Sequence, residues 1–194
     1  MSNQNNSSGI TIKKGADLNE LVANLQKIAG VEVLVGFPED TTERDPDGDT
    51  PTGITNASLA YIHDNGAPEQ NIPARPFMAP GIESVQDKLA DKLGQILKAA
   101  ANGAPASTIA QGMTQVGIIA ATGIKNTINE GIDPPLAPAT LRARAARGRK
   151  GAQEELNRRK KGEAPSTAFA KPLVDTGELR NAVSYAIRPR NQRK

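Results

Sequence analysis

Four short stretches of this 194-residue chain carry residue types that could do chemistry. Val174-Asp175-Thr176-Gly177 has the hydrophobic–Asp–Thr–Gly order of aspartic proteases, in which two such carboxylates share a proton. Asp45, Asp47 and Asp49 in DPDGD stand at the alternate spacing of a calcium loop. His63 precedes Asp64, half of a metal site. Gly117 to Lys125, GIIAATGIK, combines glycines with a lysine, as phosphate-binding loops do.

Each reading needs companions that the chain does not supply. There is one DTG, and only 19 residues follow Asp175. A homodimer could bring a second copy, as in retroviral proteases, but the β-rich body and the later strand motif are missing. A helix N-cap at Asp175 or Thr176, with Glu178 placed for a capping box, is the simpler reading. The calcium spacing breaks at Thr50, where glycine is needed, and at Asn56, where glutamate is needed. His63 is the only histidine. The glycine–lysine stretch lacks the G-x-x-x-x-G-K order and falls inside a helical pattern. The absence of cysteine excludes disulfides, cysteine-ligated zinc and thiol catalysis. No nucleophile, base and oxyanion site assemble, so no catalytic residue, no metal ligand and no cofactor is predicted.

What remains is chemistry of recognition. NIPARPFMAPGI, Asn71 to Ile82, places Arg75 and Phe77 among Pro73, Pro76 and Pro80. Proline fixes φ and removes a donor, and it biases the preceding residue toward extended backbone. The segment is predicted to be stiff and neither helix nor central strand. Either Phe77 anchors a partner and Arg75 meets its carboxylates, or Phe77 plugs the core and Arg75 caps a carbonyl. A second candidate is the run Arg142 to Lys161, with nine Lys/Arg and two Asp/Glu, in which Arg142, Arg144, Arg147 and Arg149 recur closely. It is poor in large apolar residues and is read as a helix tip or a mobile arm.

These residues must be positioned by a core with few aromatics: three Phe, two Tyr and no Trp. Leu, Ile, Val and Ala must build it, and the core is expected to be small for the length, with assembly making up the shortfall. Charge is polarised. Residues 1–70 carry net −7, residues 71–141 net zero and residues 142–194 net +10. That pattern implies head-to-tail contact between copies, or a basic arm for an acidic partner. MSNQNNSSGI lacks the apolar stretch of a secretory signal, and the longest apolar run, Val116 to Ala121, is too short to span a bilayer. A soluble protein is predicted.

Periodicity predicts an α+β fold with a small antiparallel or mixed sheet, two long covering helices and extended loops. Leu18, Leu21, Val22, Leu25 and Ile28 recur at helical spacing up to Gly30. VEVLVGF, Val31 to Phe37, reads as a strand. A short helix over 57–66 has Asn56 as its cap. Long helices are predicted over 82–102 and 107–129, the second rich in small residues that permit close approach, and a second strand near Val183 to Arg188. The domain plan is a disordered tail 1–9, one domain over 10–190 with an acidic loop 38–53 and a basic arm 142–171, and a basic tail 191–194.

Four blocks, in this order, resemble one family. YIHDNGAPEQNIPARPFMAPGI is similar to the hydrophobic–His–acid–x–Gly…Ile-Pro-x-Arg-Pro-Phe segment of tailed-bacteriophage tail-completion (neck) proteins, also termed minor tail protein Z-like tail components. VEVLVGFPED resembles their early strand, PPLAPATLRAR their Pro-Leu-x-x-x-Thr turn, and KPLVDTGELRNAVSYAI their closing motif, which sets Asp175, Thr176 and Gly177 in a non-protease context. The acidic insertion Asp40 to Thr52 and the basic arm after Leu141 depart from the pattern. The resemblance implies a virion protein of the head–tail junction, made in the host cytoplasm, with no enzyme activity and no cofactor. Its implied partners are its own copies in a ring, six favoured over twelve, head-closure or connector proteins, and the tail terminator or tube. Genomic DNA passing the lumen would be touched only incidentally, and no membrane is involved. The competing class is a basic nucleic-acid-binding protein acting through residues 142–161 and the C-terminal tail. Against it, the arm has no interleaved aromatics and the acidic front would repel phosphate.

Overall fold

In chain order, α1 (Leu18–Ala29) leads into β1 (Val31–Gly36). Then come α2 (Asn56–Asn65), a 3-10 turn (Pro68–Gln70), α3 (Met78–Glu83), α4 (Gln86–Ala101) and α5 (Ala106–Glu130). The chain closes with α6 (Pro138–Ala146), α7 (Lys150–Lys160), α8 (Glu178–Ala182) and β2 (Ser184–Pro189). This is a computed structural model, and it describes residues 18–37 and 54–190. The expected tail 1–9, acidic loop 38–53 and basic tail 191–194 lie outside the described residues.

The two expected strands form one sheet. β1 and β2 pair antiparallel, with Val33 opposite Ile187 and Val35 opposite Tyr185. Two strands alone are marginal in water. Helix α5 packs on both, α4 packs along α5, and α1 lies on α4. The fold class is α+β, as the alternation in VEVLVG and the long helical periods predict. Ile96, Met113 and Val116 form one core cluster, with Ile28, Val33, Leu89 and Ile109 against it. Phe77, Ile124, Ile128, Leu173, Leu179 and Val183 form a second.

Some boundaries differ from expectation. The region predicted as one helix over 82–102 is α3 and α4, separated at Ser84–Val85, where Ser84 Oγ donates to Gly81 O at 2.8 Å. The proline-rich segment is extended only as far as Phe77, and Met78 opens α3 with Pro80 third. Proline is tolerated there because first-turn amides have no intrahelical acceptor. Thr55, not Asn56, caps α2: its Oγ1 accepts from Ser58 N at 3.1 Å. The basic run is an ordered hairpin of α6 and α7 over a third cluster, Leu136, Leu141, Ala152 and Ala170.

The small residues of α5 have the predicted use. A Cβ on Gly123 would lie 2.3 Å from Gly81 O, and one on Gly81 would lie 2.6 Å from Ile124 Cα. Helices α3 and α5 therefore touch backbone to backbone. A Cβ on Gly117 would strike the Tyr185 ring at 2.3 Å. Gly123→Ala is expected to destabilise the protein by about 1–3 kcal/mol through overpacking. Gly94→Ala, where an added Cβ meets nothing within 4 Å, should be neutral or stabilising by up to about 1 kcal/mol. Urea unfolding of the two variants checks this, and equal shifts would refute the close α3–α5 approach.

Candidate functional site

The residues singled out by type and spacing converge on one side of the sheet-and-helix body. The convergence begins at the end of α2. Gly66 takes φ +79°, and a Cβ there would sit 2.7 Å from Ala74 N, so only glycine lets the chain fold back this tightly. Ala67 and Ile72 exchange backbone hydrogen bonds at 2.8 and 3.0 Å. Arg75 N donates to His63 O at 2.7 Å. The Asp64 Oδ1 atom accepts from Phe77 N at 2.8 Å and Met78 N at 3.1 Å. Asp64 thus serves the free amides at the start of α3, a capping role. Among the described residues no three His, Cys, Asp or Glu are grouped to hold a metal ion.

Arg75 and Phe77 both point inward. Phe77 has no exposed surface and lies in the main core cluster. Arg75 is 5% exposed; its Nε and Nη2 donate to Pro134 O at 3.0 and 2.8 Å. Of the two readings open at the sequence level, these contacts are those of the core plug and the capped carbonyl. The stiffening prolines Pro73 and Pro76 lie on the surface of the segment that delivers them.

A second guanidinium repeats the device. Arg144 of α6 is 8% exposed, and its Nη1 donates to Lys171 O at 2.8 Å and Val174 O at 3.0 Å. Its Nη2 donates to Pro172 O at 2.6 Å. Burial lowers the pKa of both arginines from the ordinary value; at Arg144 nearby Asp175 opposes that effect. Both stay protonated at any working pH.

Asp175 receives Arg147 at 2.6 Å and Arg149 at 2.9 Å, with Arg144 Nε at 3.9 Å. Three guanidiniums thus converge on this carboxylate, which is engaged in ion pairing within its own chain. Thr176 Oγ1 accepts from Glu178 N at 3.3 Å, and Gly177 takes φ +83° to start α8. The N-cap position of α8 is therefore Gly177, with no side-chain cap hydrogen bond, and not the expected Asp175 or Thr176. The residues named as partner contacts divide accordingly: Arg75, Phe77 and Arg144 hold the fold, Arg147 and Arg149 clamp Asp175, and Arg142 is exposed. Between the two motifs runs a cleft of about 320 Å³, with Ile54, Leu59, Leu173 and Leu179 on its walls and His63, Arg144, Arg147, Asp175, Thr176 and Glu178 as its polar groups. Its largely apolar walls can hold an apolar side chain.

Sequence reasoning missed Glu155. It has no exposed surface and accepts from Arg158 Nη1, Arg159 Nε and Ser166 N, each at 2.8 Å. The Glu-x-x-Arg-Arg spacing of EELNRR was the available signal, since positions three and four apart share a helix face. Arg158 also bonds Glu163 at 2.8 Å and stands 5.1 Å over the Phe169 ring. Much of the basic run is thus neutralised internally. No protein-family model, curated protein or solved structure matches the chain.

Two outcomes follow. Arg75→Ala should cost about 1.5–3 kcal/mol, and Arg75→Lys should recover little, because an ammonium cannot fork onto one carbonyl as a guanidinium does. An unchanged urea midpoint for Arg75→Ala would show that the Pro134 contact holds nothing. Burial pushes the Glu155 carboxyl up, but the Ser166 amide and the two guanidiniums outweigh it and hold the group below the ordinary glutamate value. A depressed folded-state value gives stability that is present above the unfolded value, about 4.3, and lost as pH falls through the folded value. Glu155→Gln should flatten the acid limb of a stability–pH profile measured between pH 6 and about 3; an identical acid limb in both proteins would sink this account.

Proposed function

We propose that the chain is a structural virion protein of the bacteriophage head–tail junction, acting in tail completion and head–tail joining. The observation that carries the reading is the way the four resembling blocks interlock. β1 from the first pairs with β2 from the last. Arg75 of the second bonds Pro134 at the start of the third. Arg144 at the end of the third bonds Lys171, Pro172 and Val174 of the fourth. Blocks far apart in sequence form one structural unit, which supports a common architectural origin over four chance matches.

In this reading the protein works as a homo-oligomeric ring, six copies favoured, between head-closure or connector proteins and the tail terminator or tube. It is made in the host cytoplasm and ends in the virion. The competing nucleic-acid reading draws less support, because Arg144, Arg147, Arg149, Arg158 and Arg159 are already engaged within the chain. A phage lacking the protein is expected to accumulate separate heads and tails, and expression of the wild-type chain should restore joined particles. Labelled antibodies should mark the neck in micrographs. Label on the capsid shell or the tail tip would overturn the assignment. Tight, strongly salt-dependent binding to random duplex DNA, without any joining defect, would favour the nucleic-acid class.

A further inference from the structure

The groove between α6 and α7 has a mixed apolar and cationic lining. It is about 510 Å³ in volume, with Pro138, Ala145, Ala146 and Leu156 as its apolar residues and Arg142, Arg159 and Lys160 as its cations, and none of its lining residues is acidic. Arg142 and Lys160 form no ion pair with any other described residue. Arg159 gives Nε to Glu155, while its Nη2 is buried with no hydrogen-bond partner. The groove therefore fits an anionic segment whose side chains have short apolar stems.

We propose that this groove receives the acidic segment 38–53 of a second copy of this chain. The inference rests on the ring reading above and names the contact that would close it. Charge complementarity selects the occupant: residues 38–53 carry Glu39, Asp40, Glu43, Asp45, Asp47 and Asp49 against the single cation Arg44. Every copy supplies one such segment and one such groove. A contact that is head-to-tail and heterologous is the kind that generates closed rings of identical subunits. A nucleic acid fits less well, because no aromatic side chain lines the groove on which a base could stack.

The test uses the full-length protein, half of it labelled with ¹⁵N, mixed and joined by a zero-length carbodiimide cross-linker. Lys160 is expected to be linked to carboxylates of residues 38–53 in pairs of mixed isotope. In parallel, a fluorescent synthetic peptide of residues 38–53 is titrated into the wild-type protein. Its affinity should fall at least about tenfold with Arg142→Glu, a charge reversal in the lining, and weaken as salt rises. Circular dichroism of the variant verifies its fold. Cross-links confined to one isotope would place the segment on its own copy and overturn the proposal. So would a peptide that binds wild type and variant equally, that fails to bind, or that random duplex DNA displaces at equal charge. Antibody label at the neck would survive any of these failures. Label elsewhere on the particle, with the peptide still bound to the groove, would instead defeat the ring reading alone.

Discussion

Buried guanidiniums set against the carbonyls of proline-rich turns are the constraint on which the architecture depends. Proline has a carbonyl but no amide hydrogen, so DPPLAP and AKPLVD are rich in acceptors that neither a helix nor a ladder can satisfy. Arginine offers five donors in a rigid planar fork. Arg75 serves the Pro134 carbonyl and Arg144 serves three carbonyls between Lys171 and Val174. Burying a charge is costly unless it is hydrogen-bonded in full, and these forks come close to that condition. The same two residues tie the 71–77 segment, the α6–α7 hairpin and the DTG turn into one block, which two strands and a few helices could not do by apolar contact alone.

The core explains why such polar joints are needed. With Phe77 as the only fully buried aromatic, it is built mainly from aliphatic side chains in three separate clusters. Close backbone approach stands in for bulk: Gly81 against Gly123, and Gly117 beneath Tyr185, bring elements together without large side chains between them. Dispersion grows with the number of close atom pairs, so a glycine contact of this kind adds cohesion despite its low helix propensity. The arrangement is intolerant, since any Cβ at these positions collides with backbone or ring.

Elements with a strong period were legible from sequence, and joints between elements were not. The alternation of VEVLVG and the 3.6 spacing of Leu89, Ile96, Met113 and Ile124 report which face is buried, and both strands and the long α5 followed from them. The break at Ser84–Val85 was hidden because apolar spacing continues across it, from Ile82 through Val85 to Leu89. The role of Asp64 was hidden because its acceptors' donors, Phe77 N and Met78 N, lie 13 and 14 residues away. For Arg75 the residue types allowed an outward anchor or an inward cap, and only the position of Pro134 O, 59 residues on, separates them. A count of Lys and Arg likewise overstated the number of free cations in residues 142–161, because Glu155 and Asp175 each pair with two of them.

That last point bears on where partners bind. Motif residues that hold a fold together are poor candidates for contacts, since their hydrogen-bonding capacity is already used. Arg75, Arg144 and Asp175 are of this kind. Capacity to spare lies elsewhere. Arg142, Lys150, Lys160 and Lys161 form no ion pair with another described residue, and Val22, Leu25, Leu93 and Leu97 of the packed helices α1 and α4 are exposed apolar side chains. Exposed apolar groups of this size gain from being covered, and unpaired cations gain from an acidic neighbour at short range, within a Debye length of about 8 Å. The joints thus define the scaffold, and the hairpin of α6 and α7 carries the cations that no other described residue pairs, the charges left for something else to satisfy.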